Sequence, residues 1–149
     1  DWNKAIRPNL YGVYLVSKAI LPSMVNNGGG GGVNNASSYG LVGAPTMAAY
    51  SAAKGGVIAL TRQMAVDYAP QNIRVNCVCP GAIMTPLLEE YIASTEDPGQ
   101  TRRFLGDRCP QGRIGRPEEV AYAVLFLATE ESSHVTGVAL PVDGGLTAW

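Results

Sequence analysis

The chain has 149 residues, 46% of them hydrophobic and 15% charged, which is the size and composition of one globular domain with a sizeable core. Its net charge of −1, without a long basic or acidic block, excludes nucleic acid and membrane surfaces as expected partners. No apolar run reaches the roughly 20 residues needed to cross a bilayer. No signal peptide is visible, and the chain opens on Asp1 rather than Met, so an incomplete sequence is expected. Three cysteines, an odd number, argue against a disulfide framework and for a reducing, cytoplasmic setting.

Taken in chain order, Asp1 to about Asn26 reads as one long helix with Asp1 as its N-cap. Pro8 interrupts it, because proline removes one backbone donor and kinks the axis; Lys4 is expected to be left with a free carbonyl. Asn9 lies directly at that kink. Gly28 to Gly32 reads as a helix stop and loop. It is not a phosphate loop, since no Gly-Lys-Ser/Thr follows and it precedes a strand. Val33 to about Ser37 is a short strand leading into Ser38-Tyr39-Gly40. A second long helix runs from Thr46 or Met47 to Ala69, closed by Pro70. Gly55 and Gly56 in its middle each cost about 1 kcal/mol relative to alanine, which predicts close approach of another backbone and a helix–helix interface.

Ile73 to Cys79 is a β-branched strand ended by Pro80-Gly81, with Cys77 and Cys79 on one face as small buried hydrophobes rather than metal ligands. Met84 to Arg108 reads as helical but polar and irregular, a mobile excursion broken at Pro98-Gly99. Pro117 fits the first position of another helix, with Glu118 and Glu119 near its positive end and Val120, Val124, Leu127 and Ala128 as its buried stripe. His134 falls in a serine-rich turn at the surface, and Val138 to Val142 is a last strand before Asp143-Gly144-Gly145. Strands alternating with helices indicate parallel βα units. Three strands are few for a parallel sheet covered on both faces, so the chain reads as the second half of a larger α/β domain.

The segment Ala49-Tyr50-Ser51-Ala52-Ala53-Lys54 carries the chemistry. At four-residue spacing on a helix, phenol and ammonium share a face. Tyrosine, with a reference pKa of about 10, is a poor acid–base at neutral pH; a nearby cation favours the phenolate. Each unit of lowering needs about 1.4 kcal/mol of differential stabilisation, and a second positive charge would add to what one lysine supplies. Alone, such a pair is more often a solvated helix face.

With its neighbours, the pair resembles the short-chain dehydrogenase/reductase family. Asn9-Leu10-Tyr11-Gly12, Asn34-Asn35-Ala36-Ser37, Tyr50-x-x-x-Lys54, Asn76-Cys77-Val78-Cys79-Pro80-Gly81, and Thr136-Gly137 with Val142-Asp143-Gly144-Gly145 occur in the family's order over essentially the whole chain. The resemblance implies a Rossmann-type doubly wound parallel sheet, with residues 1–149 as the C-terminal portion of one NAD(P)-binding domain. It implies a catalytic tetrad of Asn9, Ser37, Tyr50 and Lys54. Ser37 is preferred to Ser38 because it lies thirteen residues before Tyr50, the family's offset.

In the implied roles, Ser37 holds the substrate oxygen and Tyr50 gives or takes its proton. Lys54 favours the phenolate and hydrogen-bonds the nicotinamide ribose, while Asn9 holds a water linking Lys54 to solvent. Pro80, Gly81, Ile83 and Thr85 line the nicotinamide, and residues 84–109 form the substrate lid. The implied cofactor is NAD or NADP, and the substrate a small secondary alcohol or ketone. The implied assembly is a homo-oligomer, dimer or tetramer, built on the two long helices with Ala52, Gly56 and Ala59 as close contacts.

The chain departs from the family at its start. It lacks the glycine-rich pyrophosphate loop, the residue that selects NAD over NADP, and the Asn-Asn-Ala-Gly motif. Gly32 also stands where a β-branched residue usually opens the strand. The alternatives are a sugar-nucleotide epimerase, disfavoured by Pro80-Gly81 and Val-Asp-Gly-Gly, a non-catalytic NAD(P)-binding member, and an inactive truncated fragment.

Overall fold

The computed structural model describes residues 1–148. Its centre is strand β2 (Ile73–Pro80), whose β-branched and cysteine side chains are almost all buried. β1 (Gly30–Asn35) and β3 (Ala139–Val142) flank it in the order β1-β2-β3, both pairs parallel. The register runs from Gly30 opposite Ile73 to Asn35 opposite Val78, and from Cys77 opposite Ala139 to Pro80 opposite Val142.

β1 begins inside the glycine run and stops before Ser37, which corrects the expected loop over Gly28–Gly32 and the expected strand over Val33–Ser37. Glycine has little strand preference of its own. The unbroken ladder offered by β2 recruits Gly30 to Gly32, an instance of pairing overriding propensity.

The first helix is continuous from Trp2 to Asn26, but changes pitch: α1 (Trp2–Ile6), a π turn (Arg7–Tyr11) and α2 (Gly12–Asn26). In the π turn the Gly12 N–H donates to Arg7 O, a reach of five residues that absorbs the donor Pro8 lacks. Asp1 sits at the N-cap position without capping; its carboxylate instead lies 3.8 Å from Lys4 Nζ. α3 (Ala48–Tyr68) follows β1 and packs with α2 on one sheet face. Leu21, Met64, Ala65, Ile73 and Val75 form one part of that core, and Ala36, Val57, Ile58, Cys77 and Cys79 the other.

Residues 84–108 are more regular than their polarity suggests. They form α4 (Pro86–Ala93) and α5 (Pro98–Asp107), each with proline at its first position. Thr85 caps α4 by accepting from Leu88 N at 3.3 Å, and Asp97 caps α5 by accepting from Gln100 N at 2.9 Å. Pro98 thus starts a helix rather than breaking one.

α6 (Pro117–Ala128) lies across the other sheet face. Only Leu127 of its expected stripe is fully buried; Val120 and Val124 are half-buried and Ala128 is exposed, because a three-stranded sheet is too narrow to cover the helix. His134 is exposed, as expected.

On this face Asn76, fully buried, donates from Nδ2 to Val135 O (2.8 Å) and accepts from Val138 N (3.0 Å), holding the turn that leads into β3. Asn76→Ala is expected to leave both backbone groups unpaired and lower stability by about 2–3 kcal/mol in urea unfolding.

Candidate active site

In a parallel sheet all strands end on one edge, and here that edge carries Asn35, Pro80 and Val142. Just beyond β1, Ala36 N donates to Val78 O, and Ser37 continues extended before the chain turns. The Ser37 hydroxyl accepts from Tyr39 N at 3.2 Å and so caps the short 3-10 turn Ser38–Gly40. Ser37 and Ser38 are both buried, so burial does not separate them.

The turn returns the chain to the start of α3, whose first two turns carry Tyr50 and Lys54. Gly40 rests directly on that helix: a Cβ there would fall 2.7 Å from the carbonyl carbon of Lys54 and 2.9 Å from Gly55 N. The expected close backbone partner of Gly55 is therefore this serine turn. Gly56 faces the Leu10 side chain from the π turn of the same chain. Ala52 and Ala59 are exposed.

Lys54 is buried, and its ammonium donates to Asn35 O at 3.0 Å. Loss of hydration on burial pushes its pKa below the ordinary lysine value. The same ammonium stands 5.6 Å from the centroid of the half-buried Tyr50 ring. Asn9 lies in the π turn next to Leu10, so its segment abuts α3 near Lys54, but its amide donates to Ala5 O at 3.0 Å. Its Oδ1 and second amide N–H remain for another partner.

Pro80 to Thr85 leave β2 as a firmly pinned turn. Gly81 N donates to Val142 O (3.1 Å), Met84 N to Gly115 O (2.8 Å), and Gly115 N to Ala82 O (2.9 Å), with Ile83 bridging Gly115. Thr85 Oγ1 caps α4, which uses an acceptor site and leaves the hydroxyl proton to donate. A cleft of about 350 Å³ opens between this turn, Cys109–Gln111 and Val142–Gly145; Ser37, Tyr50 and Lys54 do not line it.

Three features had weak or no sequence signal. Asp143 is buried, with its carboxylate accepting from Gly145 N, Thr147 N and Thr147 Oγ1, so it ties down the chain after β3. A threonine four residues after an Asp-Gly-Gly turn is the only hint of that role. Arg108, just after α5, places its guanidinium 5.4 Å from the Tyr39 ring centroid and 5.8 Å from that of Phe104; no local pattern joins it to the serine turn. Glu119 takes Arg113 in a two-pronged pair and accepts from Arg116 N at 2.7 Å.

The hydrogen bond and charge of Arg113, with that backbone N–H, hold the Glu119 carboxyl down at about 2. Because the folded value lies below the ordinary one, the pair's stabilisation is fully present above pH ~4.5 and is lost as pH falls toward 2. NMR titration of Glu119 is expected to show this midpoint, and Arg113→Ala to raise it toward the ordinary carboxylate range.

Comparison with known proteins bears on the family and the fold. A family model described as Enoyl-(Acyl carrier protein) reductase matches residues 1–147. 2-(S)-hydroxypropyl-CoM dehydrogenase 3 of Xanthobacter autotrophicus is 46% identical over 148 residues, 99% of this chain and 58% of that protein. From the same organism, inactive 2-(S)-hydroxypropyl-CoM dehydrogenase 2 is 45% identical, over 99% of this chain and 64% of its own length. The crystal structure of a short-chain dehydrogenase/reductase from Burkholderia xenovorans superposes with a TM-score of 0.94 at 39% identity, over 99% of this chain and 57% of that one. The chain thus spans about three-fifths of these relatives. Matched in sequence and in fold over nearly its whole length, the chain belongs to the short-chain dehydrogenase/reductase family.

Proposed function

We propose that residues 1–149 are the C-terminal portion of a single NAD(P)-binding domain, in an oxidoreductase that interconverts a secondary alcohol and a ketone. The observation that carries this is the clamp of the serine turn on α3: Gly40 against the Lys54 backbone holds Ser37 beside the helix that bears Tyr50 and Lys54.

In this reading the substrate oxygen lies between the Ser37 hydroxyl, which donates to it, and the Tyr50 phenol, which gives its proton to the ketone or takes it from the alcohol. Ser37 is suited to donate because its oxygen already accepts from Tyr39 N, orienting the hydroxyl. Lys54 keeps a positive charge beside the phenol, and Asn9, through the oxygen its amide leaves free, orders a water toward Lys54.

The residues present fit the nicotinamide half of a dinucleotide. Lys54 uses one of three donors on Asn35 O, leaving two for ribose hydroxyls, and the pinned turn offers Pro80, Gly81, Ile83 and the Thr85 hydroxyl. When bound, NAD or NADP supplies the hydride donor or acceptor. The pyrophosphate half does not fit here, because the glycine run leads into β1 instead of connecting a strand to a helix. Tyr14 and Leu15 on α2 are exposed and support self-assembly, as a dimer or tetramer, with a second copy.

A fusion of this chain to the glycine-loop half of the 46% identical relative is expected to oxidise secondary alcohols with NAD or NADP, followed by nicotinamide absorbance. A folded fusion that binds cofactor without turning over any alcohol or ketone would overturn the enzymatic reading. That outcome would favour the non-catalytic one, which the 45% identical inactive relative makes a real competitor. The 149-residue chain alone is expected to bind either cofactor weakly in calorimetric titration.

A further inference from the structure

Charge is distributed unevenly along this nearly neutral chain. Residues 102–116 hold five of its eight arginines, none of its three lysines, and one acid, Asp107, for a net +4. The fold gathers four of them, Arg102 and Arg103 from α5 and Arg113 and Arg116 from the turn before α6, around a cleft of about 400 Å³ with Met84 on its wall. Asp107 is the only acid on that lining.

Glu119 is committed to Arg113 and lies 3.5 Å from Arg116. Among the described residues no carboxylate lies within 4 Å of Arg102, Arg103 or Arg108. Arg102 and Arg103 thus bring to the cleft positive charge that no carboxylate within 4 Å offsets, and an anion bound there would be attracted by it. Their planar forks match oxyanions better than ammonium groups do, which fits the exclusive use of arginine.

The cleft is tied to the candidate active site through Met84 on its wall, and α5, which carries two of its arginines, reaches the serine turn through Arg108 at its end. Met84 belongs to the Pro80–Thr85 turn. Arg108, which closes α5, stacks on Tyr39, whose N–H holds the Ser37 hydroxyl. We propose that this cleft binds an oxyanion group (phosphate, sulfonate or carboxylate) carried by the alcohol or ketone substrate, so that Arg102 and Arg103 select for an anionic handle. Calling the ligand a substrate rests on the function proposed above; the anion site itself does not.

The test is an NMR titration of the 149-residue chain with inorganic phosphate, glycerol 3-phosphate and glycerol, following the Gly106, Gly112 and Gly115 amides at the cleft. Both phosphates are expected to give saturable shifts that weaken with added salt, glycerol none, and glycerol 3-phosphate the tighter binding. Arg102→Gln/Arg103→Gln is expected to weaken both phosphates about tenfold, and Lys18→Gln on α2 to change neither. Absence of saturable shifts, or shifts indifferent to the double arginine substitution, would overturn the site. Equal affinity for the two phosphates would overturn its assignment to a substrate handle. Turnover by the fusion protein with uncharged and phosphorylated alcohols separates the two ideas. Equal turnover of both overturns the handle alone, and phosphate binding without any turnover overturns the enzymatic reading and with it the handle's name as substrate.

Discussion

Tyr50→Phe in an enzyme containing this chain is expected to lower kcat by about 10²- to 10⁴-fold, the range over which a positioned general acid–base contributes. Cofactor affinity, read by calorimetry, should change by no more than about threefold. The substitution removes one oxygen and keeps the ring, so the packing of the half-buried side chain and the cation–ring approach of Lys54 at 5.6 Å are retained. In the proposed role, what is lost is the proton path to the substrate oxygen; the other phenol of the serine turn, Tyr39, has its ring 5.4 Å from the Arg108 guanidinium. The only histidine, His134, is exposed and follows α6 on the opposite sheet face. Retained turnover in the Phe variant would remove Tyr50 from the role proposed for it.

Gly40→Ala is expected to be among the most damaging single-methyl additions to this chain. The new Cβ would stand 2.7 Å from Lys54 C, 2.9 Å from Lys54 O and 2.9 Å from Gly55 N. All three are backbone atoms of α3 and cannot rotate away, so either the serine turn or the helix must move. Overpacking of this kind costs about 1–3 kcal/mol, or a fall in Tm of roughly 5 °C for a chain of this length. The kinetic effect in the extended enzyme should exceed the stability effect, since a displacement of about 1 Å in reacting groups can cost 10²-fold. Gly43→Ala is the matched control: nothing lies within 4 Å of its added Cβ, and both Tm and turnover should stay near the parent's. Equal behaviour of the two variants would dissolve the clamp.

The expectations that held best rest on strong local patterns. β2, a run of β-branched residues stopped by Pro-Gly, and α6, opened by Pro117 and two glutamates, lie where their residues indicate. The failures share a cause. Glycines 30 to 32 became strand because a partner ladder was offered, and Pro8 produced a π turn because the helix could continue with a longer hydrogen bond. Residues 84–108 are helical, as their sequence indicates, but form two capped helices rather than an irregular excursion, because Thr85 and Asp97 cap helices that open on Pro86 and Pro98.

The sequence by itself determined the alternation of strands and helices, the four-residue spacing of Tyr50 and Lys54, and the thirteen-residue step back to Ser37. The first two depend on neighbours within a turn or two, where periodicity and capping act, and the thirteen-residue step has meaning only through the family resemblance. The seating of the serine turn on α3 through Gly40, the stacking of Arg108 on Tyr39, and the gathering of four arginines around one cleft were decided only by the tertiary structure. Those contacts join residues far apart in the chain, and their energies exist only once the parallel sheet has brought the strand ends to a common edge.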